Sequence, residues 1–349
     1  MMADDHEDFW SAIERTELPV VLYGTGNGAD MILDEFARRG IKAEGCFASD
    51  GFVRERTFRG FRVISYSDAQ RVFGRMAVIL AFGTHDAAVI SNIKRISSDN
   101  ELYMPDMQRD ESGHLFDREY AIRNEERIRW AYSILEDDIS RRSFESVIRY
   151  RLSGRIGWLL EDQVDETEAW KLLGIGSDET YMDIGAYNGD TISRFISIAG
   201  SWRDIYGFEP DARSFKKLKR NTEGLPCIHL YNSFISDKPG SVPFSGGKGR
   251  GSCRMESSSY ADAATIDGVL DGKPVTLIKF DTEGFERDAL DGGRRTIAEY
   301  APRMVLSAYH RIDDFWVLPE KVLGICGSYR FYMRKARALP YWDTAYYIF

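Results

Sequence analysis

With 349 residues, the chain is longer than one hydrophobic core usually supports, so two domains are expected. Its composition, 43% hydrophobic and 13% aromatic, is ample to bury both cores. The net charge of −9 disfavours a protein that holds nucleic acid mainly through its phosphates, and no apolar run approaches the ~20 residues that cross a bilayer.

The first ten residues, MMADDHEDFW, are acidic where a secretory signal would be basic and then apolar. The four cysteines are scattered without a Cys-x-x-Cys pair, which fits buried reduced thiols better than disulfides or a zinc site. They are Cys46, Cys227, Cys253 and Cys326. Both observations predict a cytoplasmic protein with no membrane span.

Residues 1–110 are predicted to form a small Rossmann-like α/β domain, because apolar strands alternate with helical patterns. Such alternation indicates a parallel sheet of the doubly wound kind. The predicted elements are a strand at 19–24, a helix at 28–39, a strand at 42–49, a helix near 67–74, a strand at 77–83 and one further helix.

A glycine turn, YGTGNGAD at 23–30, follows the first of these strands and opens the first helix. It approaches the dinucleotide fingerprint, but Ala29 stands where the last glycine of the full motif is expected. Asp50 follows near the distance of a ribose contact. The pattern is compatible with an NAD(P), nucleotide or nucleotide-sugar site, although a structural or interface role is the favoured interpretation.

Residues 111–175 are predicted to be a helical connector, since apolar residues recur at intervals of three and four through 117–173. Its arginines could form an anion-binding surface. A solvated helix face, paired with neighbouring Glu and Asp, is the favoured alternative. The arginines are Arg141, Arg142, Arg149, Arg151 and Arg155.

Residues 176–349 are predicted to form a second doubly wound sheet. Its last two strands follow the final helix without a further crossover, which indicates a closing antiparallel pair. The predicted strands lie near 180–183, 205–209, 228–232, 275–280, 304–309, 329–335 and 343–349.

The stretch SGGKGRGSC at 245–253 is glycine-rich and basic. It follows no strand-to-helix junction and lacks the ending of a Walker motif. We therefore predict a mobile loop over the active site and not a phosphate cradle.

The most informative motif is YMDIGAYNGDT at 181–191, in which a strand runs into Asp183 and a glycine-bearing turn then opens a helix. Gly185 and Gly189 let the main chain turn tightly and approach a ligand. Thr191 begins the helix, whose first N–H groups face the same spot. A backbone of this shape is typical of a site for a nucleotide-like cofactor.

A second motif, IYGFEPD at 205–211, follows at the distance that a strand, helix, strand unit requires. It contains Glu209 where a ribose diol would need an acceptor. The two linked motifs strengthen the prediction of a cofactor site.

Polar residues follow four strands of this sheet, and ligands of open parallel sheets collect beyond the carboxyl ends of the strands. If the strand order is the usual one, the first, fourth and fifth strands are neighbours, which places Asp281 between Asp183 and His310. The residues at these ends are Asp183, Glu209, Asp281 with Glu283 and Glu286, and Tyr309 with His310.

S-adenosyl-L-methionine suits this layout, because its ribose can donate two hydroxyls to Glu209 while its amino-acid end lies over the turn near Asp183 and Gly185. A dinucleotide would need a G-x-G-x-x-G turn here, and Asp183 would repel its pyrophosphate. The acidic turn therefore favours a cationic cofactor, and the closing antiparallel pair is the one that ends a class I methyltransferase sheet.

Methyl transfer to a hydroxyl requires alignment of acceptor, methyl and sulfur, and removal of a proton. His310 is the best base by its intrinsic pKa, unless it is only a histidine satisfied at a strand end. Asp281 could orient His310, act as the base, or bind a divalent metal with Glu283. Glu283 and Glu286 could equally be the acidic start of a helix. The residues leave these alternatives open.

The chain resembles the FkbM family of S-adenosylmethionine-dependent methyltransferases. The resemblance rests on YMDIGAYNGDTISRF, IYGFEPDARSF, LIKFDTEGFERDAL and VLSAYHRIDDFWVLPEKV, which follow one another in order over roughly 176–349. The upstream ISRRSFESVIRYRLSG resembles the connector of longer members, and the N-terminal domain resembles small sugar-nucleotide-binding modules. One departure is Thr282, where an apolar residue is more usual.

The resemblance implies O-methylation of a hydroxyl of a sugar, glycan or natural product. It implies an acceptor side lined by Lys279, Asp281, Glu283 and His310. By position, the residues that it implies for the cofactor are Asp183, Gly185, Tyr187, Asn188, Gly189, Asp190, Thr191, Glu209 and Pro210, with Asn232 and Ser233 beside the adenine.

We therefore predict an O-methyltransferase whose partner is a small-molecule or glycan acceptor and not a nucleic acid. One alternative is an NAD(P)- or nucleotide-sugar-binding protein that uses the N-terminal glycine turn. The other is a non-catalytic scaffold that keeps the fold as a binding module. The sequence carries no signal of the oligomeric state.

Overall fold

The computed structural model describes residues 8–53, 57–243 and 260–349, which divide into two compact units. The N-terminal unit comprises the described residues up to 132, residues 141–163 and residues 335–342. The C-terminal unit comprises residues 133–140, the described residues of 164–334, and residues 343–349. Residues of the predicted connector, 111–175, thus fall into both units.

The N-terminal unit is built on a six-stranded sheet. Its strands are β1 (Val20–Tyr23), β2 (Gly45–Ala48), β3 (Thr57–Phe58), β4 (Phe61–Ser65), β5 (Ala77–Leu80) and β6 (Glu101–Tyr103). Their order is β3-β4-β2-β1-β5-β6, and all pairs are parallel except the β3–β4 hairpin. The strand order reverses beside β1, which makes the carboxyl ends of β1 and β5 the natural place for a ligand.

The helices that precede residue 164 lie partly between the strands of this sheet along the chain and partly in the predicted helical segment, 117–173. They are α1 (Phe9–Arg15), α2 (Asn27–Arg39), α3 (Tyr66–Phe73), α4 (Ala87–Asp99), α5 (Arg118–Arg123), α6 (Glu125–Ser133), α7 (Asp138–Ser153) and α8 (Gly157–Leu160). Helix α2 buries Ala29, Ile32 and Phe36 against the core and ends at Gly40, whose left-handed backbone lets its N–H bond Ala37 and Phe36. The hairpin and β6 escaped prediction because they are short.

The sequence-based interpretation of the arginines holds for some of them. Arg142 pairs with Asp162 and Arg149 with Glu145, as expected for a helix face with acidic neighbours. For Arg151 it is wrong, because that side chain is buried and bonds Asp106 at 2.6 Å. Periodicity does not show which member of a charged run turns inward.

The cysteine prediction needs a similar correction. Cys46 is buried, but Cys227 is exposed and Cys326 is partly exposed. All three are free thiols. Cys253 lies outside the described residues, as does the predicted loop at 245–253.

The C-terminal unit is built on a seven-stranded sheet and a small three-stranded sheet. The strands are β7 (Thr180–Ile184), β8 (Asp204–Phe208), β9 (Ile228–Tyr231), β10 (Phe234–Ile235), β11 (Gly240–Pro243), β12 (Tyr260–Ala264), β13 (Leu277–Phe280), β14 (Arg303–Ser307), β15 (Phe331–Arg334) and β16 (Ala345–Ile348). The large sheet has the order β15-β16-β14-β13-β7-β8-β9, and β16 is antiparallel to both neighbours. The predicted neighbours and the closing pair are confirmed.

The helices of this unit lie between the strands along the chain. They are α9 (Glu166–Trp170), a 3-10 turn (Lys171–Leu173), α10 (Asp190–Ala199), α11 (Ala212–Asn221), α12 (Ile266–Leu270), α13 (Glu286–Asp291), α14 (Arg294–Tyr300) and α15 (Asp314–Ile325). Buried apolar residues of the central strands, such as Tyr181, Ile205 and Leu277, pack against Ile192 and Phe195 of α10. No helix in the described part of the chain has the length and apolarity that a bilayer crossing would need.

Candidate active site

The turn between β7 and α10 is shaped by glycine. Gly185 has φ 87°, and a Cβ atom at this position would lie 1.8 Å from the carbonyl oxygen of Asp281. Gly189, with φ 89°, is the N-cap residue of α10. Between them, Tyr187 has φ 46°, a strained backbone conformation for a residue with a side chain. The main chain thus passes directly beside the end of β13 before it enters the helix.

Asp183 lies near the end of β7 with a fully buried side chain. Its carboxylate accepts a hydrogen bond from the Thr191 hydroxyl and lies 3.3 Å from Lys279 Nζ. Lys279 Nζ is also 3.4 Å from Asp281 and 3.3 Å from the Gly185 carbonyl oxygen. Asp183 therefore ties the strand, the turn and the helix together and has no exposed surface for a direct ligand contact.

Lys279 is the cation that stabilises the neighbouring carboxylates of Asp183 and Asp281. Burial by itself would lower the pKa of Lys279, but Asp183 and Asp281 outweigh it and hold the pKa above its ordinary value. The ammonium group thus offsets the charge of Asp183. Because Asp183 is neutralised in this way, it cannot alone select a cationic cofactor, and that part of the sequence-based argument is not supported.

Glu209 follows β8 and holds the turn from its other side. Its two carboxylate oxygens accept hydrogen bonds from the main-chain N–H groups of Tyr187, at 2.9 Å, and Asp211, at 2.8 Å. Burial raises the pKa of Glu209 to about 7, although the two N–H groups act to lower it. Each oxygen keeps a second lone pair, so the carboxylate can still accept two hydroxyl groups.

The exposed rim of the turn holds two more predicted cofactor residues. Asp190, in the first turn of α10, accepts the Thr191 N–H at 2.9 Å. The carbonyl oxygen of Asn188 accepts a bond from Asn221 at 2.8 Å. Both residues act here on the main chain of the turn.

The loop after β9 holds the main chain at Glu209 by hydrogen bonds. The Asn232 side chain donates to the carbonyl oxygens of Glu209, at 2.7 Å, and Pro210, at 3.0 Å. The neighbouring Ser233 is buried. Asn232 therefore ties the loop after β9 to the main chain that follows β8.

Asp281 follows β13 and is the half-exposed carboxylate at the centre of the site. It lies 3.4 Å from Lys279 Nζ and accepts a hydrogen bond from the Tyr309 hydroxyl at 3.1 Å. Burial, and then the Asp281 charge, raise the pKa of Tyr309 well above its usual range. Tyr309 therefore stays protonated and orients Asp281 as a hydrogen-bond donor.

His310 is buried against Glu286, and its Nδ1 lies 2.8 Å from the Glu286 carboxylate. Burial alone would lower the pKa of His310, but Glu286, and then Asp281 and Glu283, raise it above its ordinary value. Burial acts to raise the pKa of Glu286, and His310 outweighs it and lowers that pKa. His310 is therefore an imidazolium, and the prediction that it is the best base is not supported by its surroundings.

The other ring nitrogen of His310 faces two carboxylates across a gap. Its Nε2 lies 3.6 Å from Asp281 and 3.6 Å from Glu283, beyond hydrogen-bond distance in both cases. Among the residues that the structure describes, none accepts a hydrogen bond from it. A buried donor without a partner is rare in proteins.

Glu286 is the functional residue that sequence reasoning undervalued. It begins α13, as the structural alternative proposed, but it also accepts the Thr282 N–H at 2.7 Å and anchors His310. Glu283 lies before the helix, half-exposed and with φ 55°. The described residues contain no group of three or more His, Cys, Asp or Glu side chains placed to hold a metal ion.

Comparison with known proteins decides the class of this site. A model of the FkbM methyltransferase domain matches residues 183–335, which span the turn, Asp281 and His310. Residues 183–335 are thus similar to the FkbM methyltransferase domain. The match confirms the resemblance seen in the motifs.

Two relatives of the FkbM domain support the match. The 2-O-methyltransferase NoeI of Sinorhizobium fredii is 25% identical over 147 residues, a match that covers 35% of this chain and 60% of that protein. A crystal structure of methyltransferase FkbM from Methylobacillus flagellatus superposes with a TM-score of 0.74 at 19% identity, and the match covers 97% of this chain and 92% of that one. The second likeness confirms the predicted α/β fold.

Proposed function

We propose that this protein transfers a methyl group from S-adenosylmethionine to a hydroxyl group of a sugar or glycan. The observation that carries the proposal is the partly exposed Asp281 carboxylate, which lies beside the glycine turn and can accept a hydrogen bond from a hydroxyl. The printed activity of NoeI, 2-O-methylation, supports an oxygen acceptor.

The residues around the turn fit S-adenosylmethionine. Glu209 has lone pairs for both ribose hydroxyls, since the main chain takes one bond to each of its oxygens. The absence of a Cβ atom at Gly185 lets the turn lie directly against the Asp281 carbonyl, so the turn and the Asp281 side chain stay close together. When bound, the cofactor supplies an electrophilic methyl group next to the end of β13.

Asp281 is the residue that we assign to proton removal. It is partly exposed, whereas Asp183 and Glu286 are buried and already paired. The hydroxyl proton of the acceptor would pass to an Asp281 oxygen as the acceptor oxygen gains the methyl group, and the sulfur would leave with the electron pair of the broken sulfur–carbon bond. Tyr309 fixes that carboxylate in place by its hydrogen bond.

Lys279 and His310 position the reacting groups. Lys279 fixes the position of Asp281 through their 3.4 Å contact. The buried His310 imidazolium lies 3.6 Å from Asp281 and adds positive charge beside it, while Glu286 holds the ring from the other nitrogen. Removing water from this crevice would strengthen each of these contacts.

The acceptor class can be tested with the full-length protein and S-adenosylmethionine carrying a radiolabelled methyl group. We expect label in the glycan fraction of a cell extract from the source organism and in defined oligosaccharides. The label should survive mild alkali, because a methyl ether is stable where a methyl ester is hydrolysed. Label confined to protein, nucleic acid or phenols would contradict the proposal, as would no label in any fraction.

The raised pKa of Glu209 predicts a pH-dependent cofactor affinity. Glu209 is protonated below pH 7 and ionised above it, and the carboxylate is the better acceptor for two hydroxyls. Affinity for S-adenosylmethionine should therefore rise at least tenfold between about pH 5.5 and pH 8 and then level off. Isothermal titration across this range measures the effect.

Glu209→Gln is the matched control for this titration. It keeps the shape of the side chain but has no group that ionises near pH 7, so the variant should bind weakly with a flatter pH profile. In cofactor-free protein the same pKa has the opposite consequence, since ionisation of Glu209 removes stability as pH rises through about 7. An unchanged pH profile in Glu209→Gln would assign the dependence to another group.

A further inference from the structure

The N-terminal unit contains a cavity of about 500 Å³ that the methyl-transfer site does not use. It lies beyond the carboxyl ends of β1, β5 and β6, and all of its lining residues belong to this unit. They include Gly26, Asn27, Phe82, Asp106, Gln108 and Trp342. The volume lies in the range of small-molecule sites, and the position is the one where doubly wound sheets bind ligands.

The turn after β1 contains three glycines, and the structural reason for a glycine differs among them. Gly24 has φ 110°, and a Cβ at Gly28 would lie 2.3 Å from the carbonyl oxygen of Ala81, so the fold itself needs both. Gly26 has φ −105°, an ordinary value, and nothing lies within 4 Å of the place where its Cβ would be. The fold does not explain Gly26, but a ligand that approaches the main chain there would.

The main chain at this turn is suited to an anion. Gly26 is the N-cap residue of α2, a helix of 13 residues, and no side chain caps it. The N–H groups of Asn27 and Gly28, which stand first in the helix, find no acceptor among the described residues. Such N–H groups and the helix dipole favour a phosphate at the mouth of the cavity.

The wall and floor of the cavity are suited to the rest of a nucleotide. The Trp342 ring is 40% exposed and lies over Gly83, where a Cβ would be 2.4 Å from it, so it offers a flat face to a ring. At the floor, the buried Asp106 carboxylate accepts bonds from Arg151, at 2.6 Å, Tyr341, at 3.3 Å, and the Gln108 N–H, at 3.1 Å. Its one remaining lone pair can accept a hydroxyl of a sugar.

We propose that this cavity binds a nucleoside diphosphate, free or esterified to a sugar. The phosphates bind the amides at Asn27 and Gly28, a ring packs on Trp342, and one hydroxyl donates to Asp106. A dinucleotide is disfavoured, because Asp50 after β2 is engaged elsewhere. It accepts the N–H of Ser67 at 3.2 Å and its hydroxyl at 2.6 Å, at the start of α3.

The test is a titration of the full-length protein with ADP, GDP, UDP, CDP and dTDP, each alone and as its glucose ester. S-adenosylmethionine is present at saturation, so that a nucleotide cannot be counted at the methyltransferase site. We expect micromolar binding of at least one member of the panel. Failure of this titration leaves the separately measured methyl transfer untouched, so the two proposals stand or fall independently.

Two variants locate the binding. Gly26→Val fills the open space at a backbone angle that valine adopts, and should weaken binding at least tenfold. Gly157→Val is its matched control, since Gly157 also has open space and lies outside the cavity. The thermal unfolding temperature of both variants should be close to that of the wild type.

Asn27→Asp separates a ligand site from a structural role. A carboxylate in the first turn of α2 favours the helix but repels a phosphate, so stability should hold while affinity falls at least fivefold. Equal binding by wild type and Gly26→Val, or no binding by any member of the panel, would overturn the proposal. Binding of NAD or NADP without any nucleoside diphosphate would replace it with a dinucleotide site.

Discussion

Replacing Asp281 by Asn is expected to lower the turnover number about 10²- to 10⁴-fold, the usual contribution of a general base. Asn keeps the shape of the side chain but cannot take the proton, and it removes one of the charges that surround Lys279. Cofactor affinity should change less than about threefold, because Glu209 and the turn remain intact. Single-turnover methyl transfer and a binding titration measure the two effects.

The matched control for this variant is Asp178→Asn. Asp178 precedes β7 at the opposite, amino-terminal edge of the same sheet, is 75% exposed and pairs with Arg203. A surface ion pair contributes little to stability, so this variant should transfer methyl groups at the wild-type rate. Wild-type turnover in Asp281→Asn would remove Asp281 from the role of base.

Replacing Gly185 by Ala is expected to produce the largest loss of stability. The residue has φ 87°, which costs alanine about 1–2 kcal/mol, and the new Cβ would meet the Asp281 carbonyl at 1.8 Å. Separating β7 from the end of β13 adds a cost like that of an overpacked core, so about 2–5 kcal/mol in total is expected. Chemical denaturation would measure it.

Gly200→Ala isolates the backbone part of this effect. Gly200 ends α10 with φ 72°, but nothing lies within 4 Å of the position of its Cβ. It should therefore lose only about 1–2 kcal/mol, the cost of the left-handed backbone. Equal losses in the two variants would show that the approach of Gly185 to Asp281 carries no energetic weight.

The strands of the second sheet could be predicted from sequence because their patterns are local. Runs such as those around Tyr181 and Ile205 are apolar and short, and glycine-bearing or polar turns bound them. The neighbouring positions of β7, β13 and β14 followed from the rules of parallel sheets. The small sheet of β10, β11 and β12 was missed, since its short strands carry no clear alternation.

The site residues were found, but their protonation states could not be. The pKa of His310 depends on Glu286, which lies 24 positions earlier and reaches it only in the folded chain. The neutralisation of Asp183 depends on Lys279 across 96 positions. A sequence gives the intrinsic acidity of each group, whereas its partners come from tertiary structure.

The order in which segments join the two units decides when each unit can finish folding during synthesis. The chain leaves the C-terminal unit after β15, contributes 335–342 to the N-terminal unit, and returns as β16. The first unit therefore lacks Trp342 and its neighbours until residues 335–342 have emerged from the ribosome, after the strands β7 to β15 of the second unit. Fragments cut near residue 175 would be incomplete on the N-terminal side, so limited proteolysis should release no stable amino-terminal piece.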